Sequence, residues 1–143
     1  PHRLEAVAEH SGILFVDDSK STTIDSLSAA LASQDRPIRL LAGGVFKGGD
    51  LTVLNARIRE RVARIYLFGN SRDIFEEAWS STGKEISWDP TLEEAVYRAA
   101  SEARSGDCVL LSPATASFDL FANYKERGKA FQMAVREWVE SLA

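Results

Sequence analysis

A short polar turn near the start of the chain constrains the fold more than any other stretch. Residues 13–16 are aliphatic or aromatic, as a buried strand requires, and residues 17–23 then carry two carboxylates, an amine and four hydroxyls. An apolar stripe with helical spacing fills residues 24–31. A strand, a polar turn and a helix in this order are typical of α/β sheets, which bind ligands there because the first turn of the helix presents free N–H groups. The simpler interpretation is a capped helix with Thr22 as the N-cap and Asp25 three residues on.

Apolar runs and helical stripes alternate along the rest of the chain. Strands are predicted at residues 38–42, 65–68, 85–88 and 108–111, and helices at residues 51–62, from residue 72, from residue 91 and at the C-terminal end. The same spacing places Ile74 and Leu142 on buried helix faces. Alternating strands and helices predict an α/β fold with a mainly parallel sheet of about six strands and helices on both faces. Residues 3–9 have a period of two, so they should pair with residues 13–16 as an antiparallel edge hairpin.

Length and charge favour one domain, residues 1–143, of a cytoplasmic protein. The chain has 21 acidic and 17 basic residues and a formal charge of -4, with the basic residues scattered, so nucleic acid is not an expected partner. No apolar run approaches the ~20 residues that span a bilayer, and residues 1–5 do not resemble a signal peptide. Membrane insertion is therefore not expected. The single cysteine, Cys108, lies in an apolar run and is predicted to be a packed thiol.

Three polar clusters follow predicted strands, at residues 17–23, 43–50 and 112–119. The carboxyl ends of parallel strands lie at one edge of a sheet, so these clusters should converge there. The second cluster has four glycines within residues 43–49, which is typical either of close backbone approach to a ligand or of a surface turn. Lys20 and Lys47, with the neighbouring hydroxyls, suit a small acidic ligand.

Arg3 and Arg127 could meet a phosphate. Taken singly, each of these four cations is more often a solvated surface charge than a ligand contact. Their position beside the strand ends favours a ligand role for Lys20 and Lys47.

Several common sites do not fit the sequence. There is no GxxxxGK[ST] loop and no GxGxxG fingerprint, and neither histidine belongs to a Ser-His-Asp arrangement. Two histidines and one cysteine, widely spaced, do not make a zinc site, and no metal ligand is predicted in this chain. Asp17 and Asp18 resemble the acidic pair of a receiver domain, but no aspartate ends the third strand as a phosphoacceptor.

Four blocks, in this order and spacing, resemble the C-terminal domain of the Mur ligases, and the resemblance runs the whole length of the chain. The blocks are Pro1-His2-Arg3-Leu4-Glu5, Asp17-Asp18-Ser19-Lys20-Ser21-Thr22, residues 43–50 (Gly-Gly-Val-Phe-Lys-Gly-Gly-Asp), and residues 111–128 with Ser112-Pro113-Ala114-Thr115-Ala116-Ser117-Phe118-Asp119. The last block resembles the branch of the family that adds D-glutamate. The Asp-Asn-Pro-Arg motif of the branch that adds the next, diamino residue is absent.

This resemblance implies the Rossmann-like third domain of an ATP-dependent amide-bond ligase of peptidoglycan synthesis. D-glutamate, ATP and UDP-N-acetylmuramoyl-L-alanine would be the substrates. UDP-N-acetylmuramoyl-L-alanine, Mg²⁺ and most of the ATP would be bound by a UDP-binding domain and a central domain, which this chain lacks. Carried over by position, Arg3 would contact nucleotide phosphate, Asp18 the ribose side, and Lys20 the reacting groups, while Arg127 would support the site. The D-glutamate contacts would be Thr22, Lys47, Ser117, Phe118 and Tyr124.

The chain departs from the family pattern at four positions. Asp17 stands where the family usually has Asn, Phe46 where it often has Asp, Thr115 where it often has Cys, and Tyr124 where it usually has Phe. Two alternatives stay open at this stage. One is a stand-alone α/β module that binds a small acidic metabolite without catalysis, and the other is a related ligase that uses another acceptor, such as a folate.

Overall fold

Residues 1–46, 48–115 and 121–142 are described by a computed structural model of the chain. This part of the chain forms a six-stranded sheet in the order β1-β2-β6-β3-β4-β5. The strands are β1 (Glu5–His10), β2 (Ile13–Asp17), β3 (Ile38–Gly43), β4 (Val62–Phe68), β5 (Ile86–Asp89) and β6 (Cys108–Leu111). The edge strand β1 is antiparallel to β2, and the other neighbouring strands are parallel. The predicted parallel sheet and its edge hairpin are confirmed.

Five α-helices cover the two faces of the sheet in the described residues. They are α1 (Ile24–Ser33), α2 (Asn55–Arg61), α3 (Arg72–Trp79), α4 (Leu92–Glu102) and α5 (Tyr124–Ser141), with short 3₁₀ turns at Leu51–Leu54 and Ser80–Thr82. One face packs against α1, α2 and α3, and the opposite face packs against α4 and α5. The fold is therefore the three-layer α/β arrangement that the sequence predicts.

The central strands explain why this arrangement is stable. In β3, Leu40 and Ala42 pack on the side of α1 to α3, while Leu41 between them packs on the side of α4 and α5. Such strands are apolar at nearly every position, because both of their faces are buried, and the half-buried Arg39 is the exception in β3. Cys108 is buried at the start of β6, and burial raises the pKa of its thiol to about 12, so it is the packed thiol that the sequence predicts.

Two predicted element boundaries are wrong. The N-cap of α1 is Thr23 and not Thr22, because Thr23 has the extended backbone of a cap and its hydroxyl accepts a hydrogen bond from the Ser26 amide. The helix predicted at residues 51–62 is a 3₁₀ turn followed by α2, and β4 already begins at Val62. The apolar residues that begin β4 continue the helical spacing, so the sequence pattern could not separate the two elements.

The predicted burial of Ile74 and Leu142 is also wrong, since their exposed fractions are 46% and 55%. Helix α3 has eight residues and buries only Phe75 and Trp79 against the sheet. Leu142 is the C-cap of α5 and lies beyond the last buried residue of that helix, Trp138. None of the described helices is long and apolar enough to cross a membrane.

Strands β2, β6 and β3 are neighbours, and their carboxyl ends bring the starts of the three polar clusters together. Asp17 pairs with Leu111 at the ends of β2 and β6, and Leu41 near the end of β3 pairs with the same leucine. Beyond it, Gly43 has a φ of +155°, and a side chain there would collide with the backbone carbonyl of Phe68. The glycine is thus required for the close approach of β3 and β4 beside the site.

Candidate functional site

The polar residues 17–23, named the elbow here, begin with a buried carboxylate that ties three segments together. Asp17 is 0% exposed, and its Oδ2 atom lies 2.6 Å from His2 Nδ1 and 2.8 Å from Gln132 Nε2. Its Oδ1 atom accepts a hydrogen bond of 2.9 Å from the Ser19 amide. The Ser19 amide and the Gln132 side chain donate to Asp17, and His2 is the third donor in the tautomer that carries its proton on Nδ1.

Helix α5 approaches this pair through a glycine. A Cβ at Gly128 would collide with His2 Nδ1 and lie 2.8 Å from Asp17 Oδ2. The absence of a side chain at this position therefore leaves room for the His2–Asp17 pair. The same pair holds the start of the chain against the elbow, since the Lys20 amide also donates to the His2 carbonyl.

The second carboxylate of the elbow connects the chain start to β6. Asp18 accepts hydrogen bonds from the Leu4 amide at 3.1 Å and from the Ser112 hydroxyl at 2.9 Å. Burial raises the pKa of the Asp18 carboxyl above its ordinary value of 3.8, because desolvation disfavours the charged form; the two hydrogen bonds oppose this shift. Two of its roughly four lone-pair positions stay available to a ligand.

The raised pKa of Asp18 gives a testable pH dependence. The folded state binds the Asp18 proton more tightly than the unfolded chain does, so its contribution to stability is greatest below pH 3.8 and declines as the pH rises through the folded pKa. The free energy of unfolding of the wild type, relative to Asp18→Asn, should therefore fall as the pH rises from 3.8 through the raised pKa of Asp18, as measured by urea denaturation. Ser112→Ala should extend this fall to higher pH, because loss of a donor to the ionised form raises the pKa of Asp18 further. A relative stability that rises with pH would contradict the assignment.

An arginine joins the elbow to the loop that follows β6. Arg127 is 0% exposed, and its guanidinium donates to the Ser19 carbonyl at 2.8 Å and to the Thr115 carbonyl at 3.0 Å. It also donates to the hydroxyls of Ser19 and Thr115. The Thr115 hydroxyl in turn donates to the carbonyl of Gly43, at the end of β3. The interpretation of Arg127 as a solvated surface charge is therefore wrong, and this side chain connects two of the three polar clusters.

A cleft of about 420 Å³, named the elbow cleft, opens beside these contacts. Nine residues line it: Arg3, Leu4, Asp18, Lys20, Ser21, Asp25, Ser26, Ala29 and Ala30. Arg3 and Lys20 are exposed, whereas Asp18 is buried in the wall. The elbow cleft thus offers two exposed cations, Arg3 and Lys20, and two carboxylates, Asp18 and Asp25, to a polar ligand.

A second depression, of about 310 Å³, lies at the start of α1. It is lined by Thr22, Thr23, Ile24, Asp25, Gly48 and Ala114, which come from all three polar clusters and from the first turn of α1. Asp25 lines both spaces, so the two are adjacent. We call this second space the threonine depression. Its lining confirms that the three clusters converge at one edge of the sheet.

The sequence matches the family described as Mur ligase, glutamate ligase domain, over residues 2–115. The chain belongs to this family. The resemblance of the four sequence blocks to the Mur ligases is therefore confirmed.

Curated relatives extend the likeness of this Mur ligase domain beyond the family match. Over all 143 residues it is 59% identical to UDP-N-acetylmuramoylalanine-D-glutamate ligase of Nitratidesulfovibrio vulgaris strain DP4, of which the match covers 32%. It is 53% identical over 136 residues to the enzyme of the same name from Lawsonia intracellularis strain PHE/MN1-00, of which the match covers 31%. The chain spans about a third of the length of these relatives.

Solved structures share the fold of this Mur ligase domain at low sequence identity. UDP-N-acetylmuramate-alanine ligase MurC from Thermotoga maritima superimposes with a TM-score of 0.66 and 13% identity, covering 98% of this chain and 30% of that protein. E. coli FolC in complex with ADP gives a TM-score of 0.61 and 17% identity, covering 99% of this chain and 32% of that protein. At these identities the comparison concerns the fold alone.

The structure brings some of the candidate residues of the Mur ligase domain together. Arg3, Asp18 and Lys20 line the elbow cleft, and Thr22 lines the threonine depression. Tyr124 begins α5; its carbonyl accepts a hydrogen bond of 2.7 Å from the Ser19 hydroxyl, and its ring lies edge-to-face with His2 at 6.4 Å. The predicted contacts Lys47, Ser117 and Phe118 lie outside the described residues.

One cluster in the described residues has the composition of a metal site but not the free ligand atoms. His2, Glu5 and Asp17 place one ligand atom each within 4.8 Å of one another. Asp17 already accepts from His2 and Gln132, and Glu5 accepts from the His2 amide at 2.9 Å. Mg²⁺ prefers free oxygen ligands in octahedral geometry. These residues do not fit the Mg²⁺ that the family resemblance implies.

Sequence reasoning missed the supports of the site. The sequence presents Asp17 as one of an acidic pair and as a departure from the family pattern, and His2 as part of a motif, but it does not indicate that the two side chains bond each other. Gln132 reaches Asp17 from the middle of α5, and no pattern in its polar helix face indicates this role. The signal for His2 was its position directly before Arg3 in a block shared with the family.

Proposed function

We propose that this chain is the C-terminal domain of a UDP-N-acetylmuramoylalanine-D-glutamate ligase, with UDP-binding and ATP-binding domains preceding it. The observation that carries the proposal is the 59% identity, over every residue of the chain, with a ligase of that name. The fold likeness to FolC comes at only 17% identity, so the folate alternative has much weaker support. The stand-alone α/β module that binds a small acidic metabolite is also less well supported, because the same identity with a ligase runs over every residue of the chain.

The elbow cleft supports the assignment of the nucleotide side. Arg3 and Lys20 are exposed cations at its rim and can meet the phosphates of ATP, for which planar guanidinium and ammonium groups are common partners. Asp18 retains acceptor positions and can accept from ribose hydroxyls. Lys20 belongs to the same elbow as Thr22, the proposed D-glutamate contact. The closeness of these two residues in the chain supports a position of Lys20 between the nucleotide and D-glutamate, near the reacting groups.

The threonine depression supports the assignment of the amino-acid side. D-glutamate carries two carboxylates and an amine, which call for a cation and short hydroxyl donors. Thr22 lines the depression, and Gly48 beside it is the neighbour of Lys47 in the chain. Lys47, Ser117, Phe118 and Tyr124 complete the proposed D-glutamate site by the family resemblance.

The proposed reaction proceeds in two steps. The carboxylate of UDP-N-acetylmuramoyl-L-alanine attacks the terminal phosphorus of ATP, which gives an acyl phosphate and ADP. The amine of D-glutamate then attacks the acyl carbon, phosphate leaves, and the amine nitrogen loses its proton as the amide forms. The residues of this chain bind and orient D-glutamate and cover the nucleotide, while Mg²⁺, supplied through the preceding domains, would neutralise phosphate charge. We expect the enzyme to work in the cytoplasm.

The proposal predicts that the 143-residue chain alone shows no turnover. Phosphoryl transfer requires phosphates and metal to be positioned together, and this sequence has no phosphate loop. Joined to its preceding domains as the complete ligase, the chain should support phosphate release that depends on ATP, D-glutamate and UDP-N-acetylmuramoyl-L-alanine. A coupled phosphate assay measures both, and EDTA should stop the reaction of the complete ligase.

Two results would contradict the proposal. One is turnover by the pure chain above the background of the assay. The other is a complete ligase that accepts another amino acid, such as L-glutamate, as well as D-glutamate. A sample of the complete ligase without D-glutamate serves as the control for background ATP hydrolysis.

A further inference from the structure

The hydroxyl of Ser21 is buried and has no hydrogen-bond partner. Ser21 is 2% exposed, and its Oγ atom is one of four buried side-chain atoms in the described residues that lack a partner. The other three are Asn55 Oδ1, Arg64 Nε and Ser87 Oγ, and none of these residues lines the elbow cleft. Leaving a buried hydroxyl unpaired is unfavourable, so such a group in a ligand cleft calls for an explanation.

The backbone of Ser21 is firmly held, so the missing partner does not reflect a loose segment. Its amide donates to the Asp18 carbonyl at 2.9 Å, and its carbonyl accepts from the Ala114 amide at 3.2 Å. Ser26, the other hydroxyl residue that lines the elbow cleft, bonds the Thr23 hydroxyl, and the nearby Ser19 and Ser112 hydroxyls donate to Tyr124 and Asp18. Ser21 is therefore the hydroxyl of the elbow cleft wall that is left over for a ligand.

The charges around Ser21 indicate which part of a nucleotide reaches it. The carboxylates of Asp18 and Asp25 line the same cleft, and they repel phosphate groups. Sugar hydroxyls behave differently, because they donate to a carboxylate and accept from a serine hydroxyl. The exposed cations Arg3 and Lys20 are the better partners for phosphates.

We propose that Ser21 hydrogen-bonds a ribose hydroxyl of the bound nucleotide and contributes to the selection of ribonucleotides over deoxyribonucleotides. This inference rests on the proposed function and names a residue to which the family resemblance gives no role. Asp18 accepts from one hydroxyl of the sugar while the Ser21 hydroxyl bonds the other. In the free domain Ser21 Oγ is closed off from solvent, so the proposed contact requires the side chain to rotate about its single χ torsion toward the cleft when the nucleotide binds.

The test combines a variant with nucleotide analogues in the complete ligase. The kcat/KM for ATP, 2′-deoxy-ATP and 3′-deoxy-ATP is measured for the wild type and for Ser21→Ala at saturating D-glutamate and acceptor. The wild type should use one deoxy analogue about 2- to 12-fold less well than ATP through loss of the Ser21 contact, as expected for one neutral hydrogen bond. Ser21→Ala should lose ATP efficiency by a similar factor and should no longer distinguish ATP from that analogue.

Ser26→Ala is the matched control. Ser26 lines the same cleft, but its hydroxyl already bonds the Thr23 hydroxyl at 2.8 Å, so this variant should keep the wild-type discrimination. The thermal unfolding midpoint of Ser21→Ala should equal or exceed that of the wild type, because the variant removes an unpaired group. A lower midpoint would show that the hydroxyl has a structural partner and would overturn the inference.

The possible failures can be told apart. If the wild type uses ATP but discriminates against neither analogue, or if Ser21→Ala discriminates as strongly as the wild type, the inference is overturned and the proposed function stands. Where Ser21→Ala fails to fold, Ser21→Gly, which also removes the hydroxyl, is measured with the same three nucleotides and should lose the same discrimination. If the complete ligase uses no nucleotide at all, the proposed function and the inference both fail.

Discussion

Replacing Arg127 by methionine is expected to lower the free energy of unfolding by about 2 to 6 kcal/mol. The reason is that the buried carbonyls of Ser19 and Thr115 each lose a donor, which costs about 1 to 3 kcal/mol per carbonyl. Methionine keeps an apolar stem of similar length, so most of the loss comes from the guanidinium. Domains of this size have total stabilities of about 5 to 15 kcal/mol, so the variant should be folded but markedly weakened. Urea denaturation of the chain measures the change.

Lys129→Met is the matched control for this prediction. Lys129 lies on the same helix, its side chain is 67% exposed, and its ion pair with Glu126 is 3.5 Å long. Exposed pairs of this kind contribute about 0 to 1 kcal/mol, so the control should differ little from the wild type. Arg127→Lys should fall between the two, since an ammonium cannot reproduce the planar fork that reaches both carbonyls.

A loss below about 1 kcal/mol for Arg127→Met would contradict the interpretation of Arg127 as the link between the elbow and the loop after β6. A loss of activity in the complete ligase without a loss of stability would instead place Arg127 in direct contact with substrate. The two measurements together therefore separate a supporting role from a binding role. The wild-type geometry favours the supporting role, because both of the carbonyls that Arg127 reaches belong to the chain itself.

The sheet could be predicted from the sequence because each central strand is buried on both faces. Residues 38–42 and 108–111 are apolar without alternation, except at Arg39, and both form strands inside the sheet. The edge hairpin could be predicted from the imperfect period of two in residues 3–9, although exposure in β1 alternates only in part because its register with β2 shifts between Ala6 and Ala8. The boundaries of the helices and strands were less predictable. Helix α1 begins one residue later than expected, because Thr22 and Thr23 can both serve as the N-cap and only the backbone conformation, which is extended at Thr23, distinguishes them.

The convergence of the site could be predicted, but not the contacts that hold it. Parallel strands place the three polar clusters at one edge of the sheet, independently of the contacts that the side chains of the clusters make. The supporting bonds join residues far apart in sequence: His2 and Asp17 are separated by 15 positions, Asp17 and Gln132 by 115, and Arg127 and Ser19 by 108. Side-chain chemistry alone gives no reason to prefer these partners over others. Such contacts require the fold to be known.

Replacing Lys47 by alanine in the complete ligase is expected to lower kcat/KM for D-glutamate by roughly 30-fold to several thousand-fold. This range corresponds to about 2 to 5 kcal/mol, the cost of removing one partner of a desolvated charge pair. The reason is chemical: D-glutamate presents two carboxylates, and Lys47 is the cation assigned to one of them. Its neighbour Gly48 lines the threonine depression together with Thr22, which supports this assignment. The KM for ATP should change little. Steady-state kinetics with each substrate varied in turn measures both effects.

Two further lysine variants serve as comparisons for Lys47→Ala. Lys84→Ala removes a cation beside the start of β4, at the opposite end of the strands, and should leave both substrates unaffected. Lys20→Ala removes a cation of the elbow cleft and should act on the nucleotide side or on the chemical step. An unaltered D-glutamate dependence with weakened ATP binding in Lys47→Ala would assign the glycine-rich turn to the nucleotide. The threonine depression would then lack its cation, and the proposed D-glutamate site would have to be placed elsewhere, because hydroxyls alone do not balance a buried dicarboxylate.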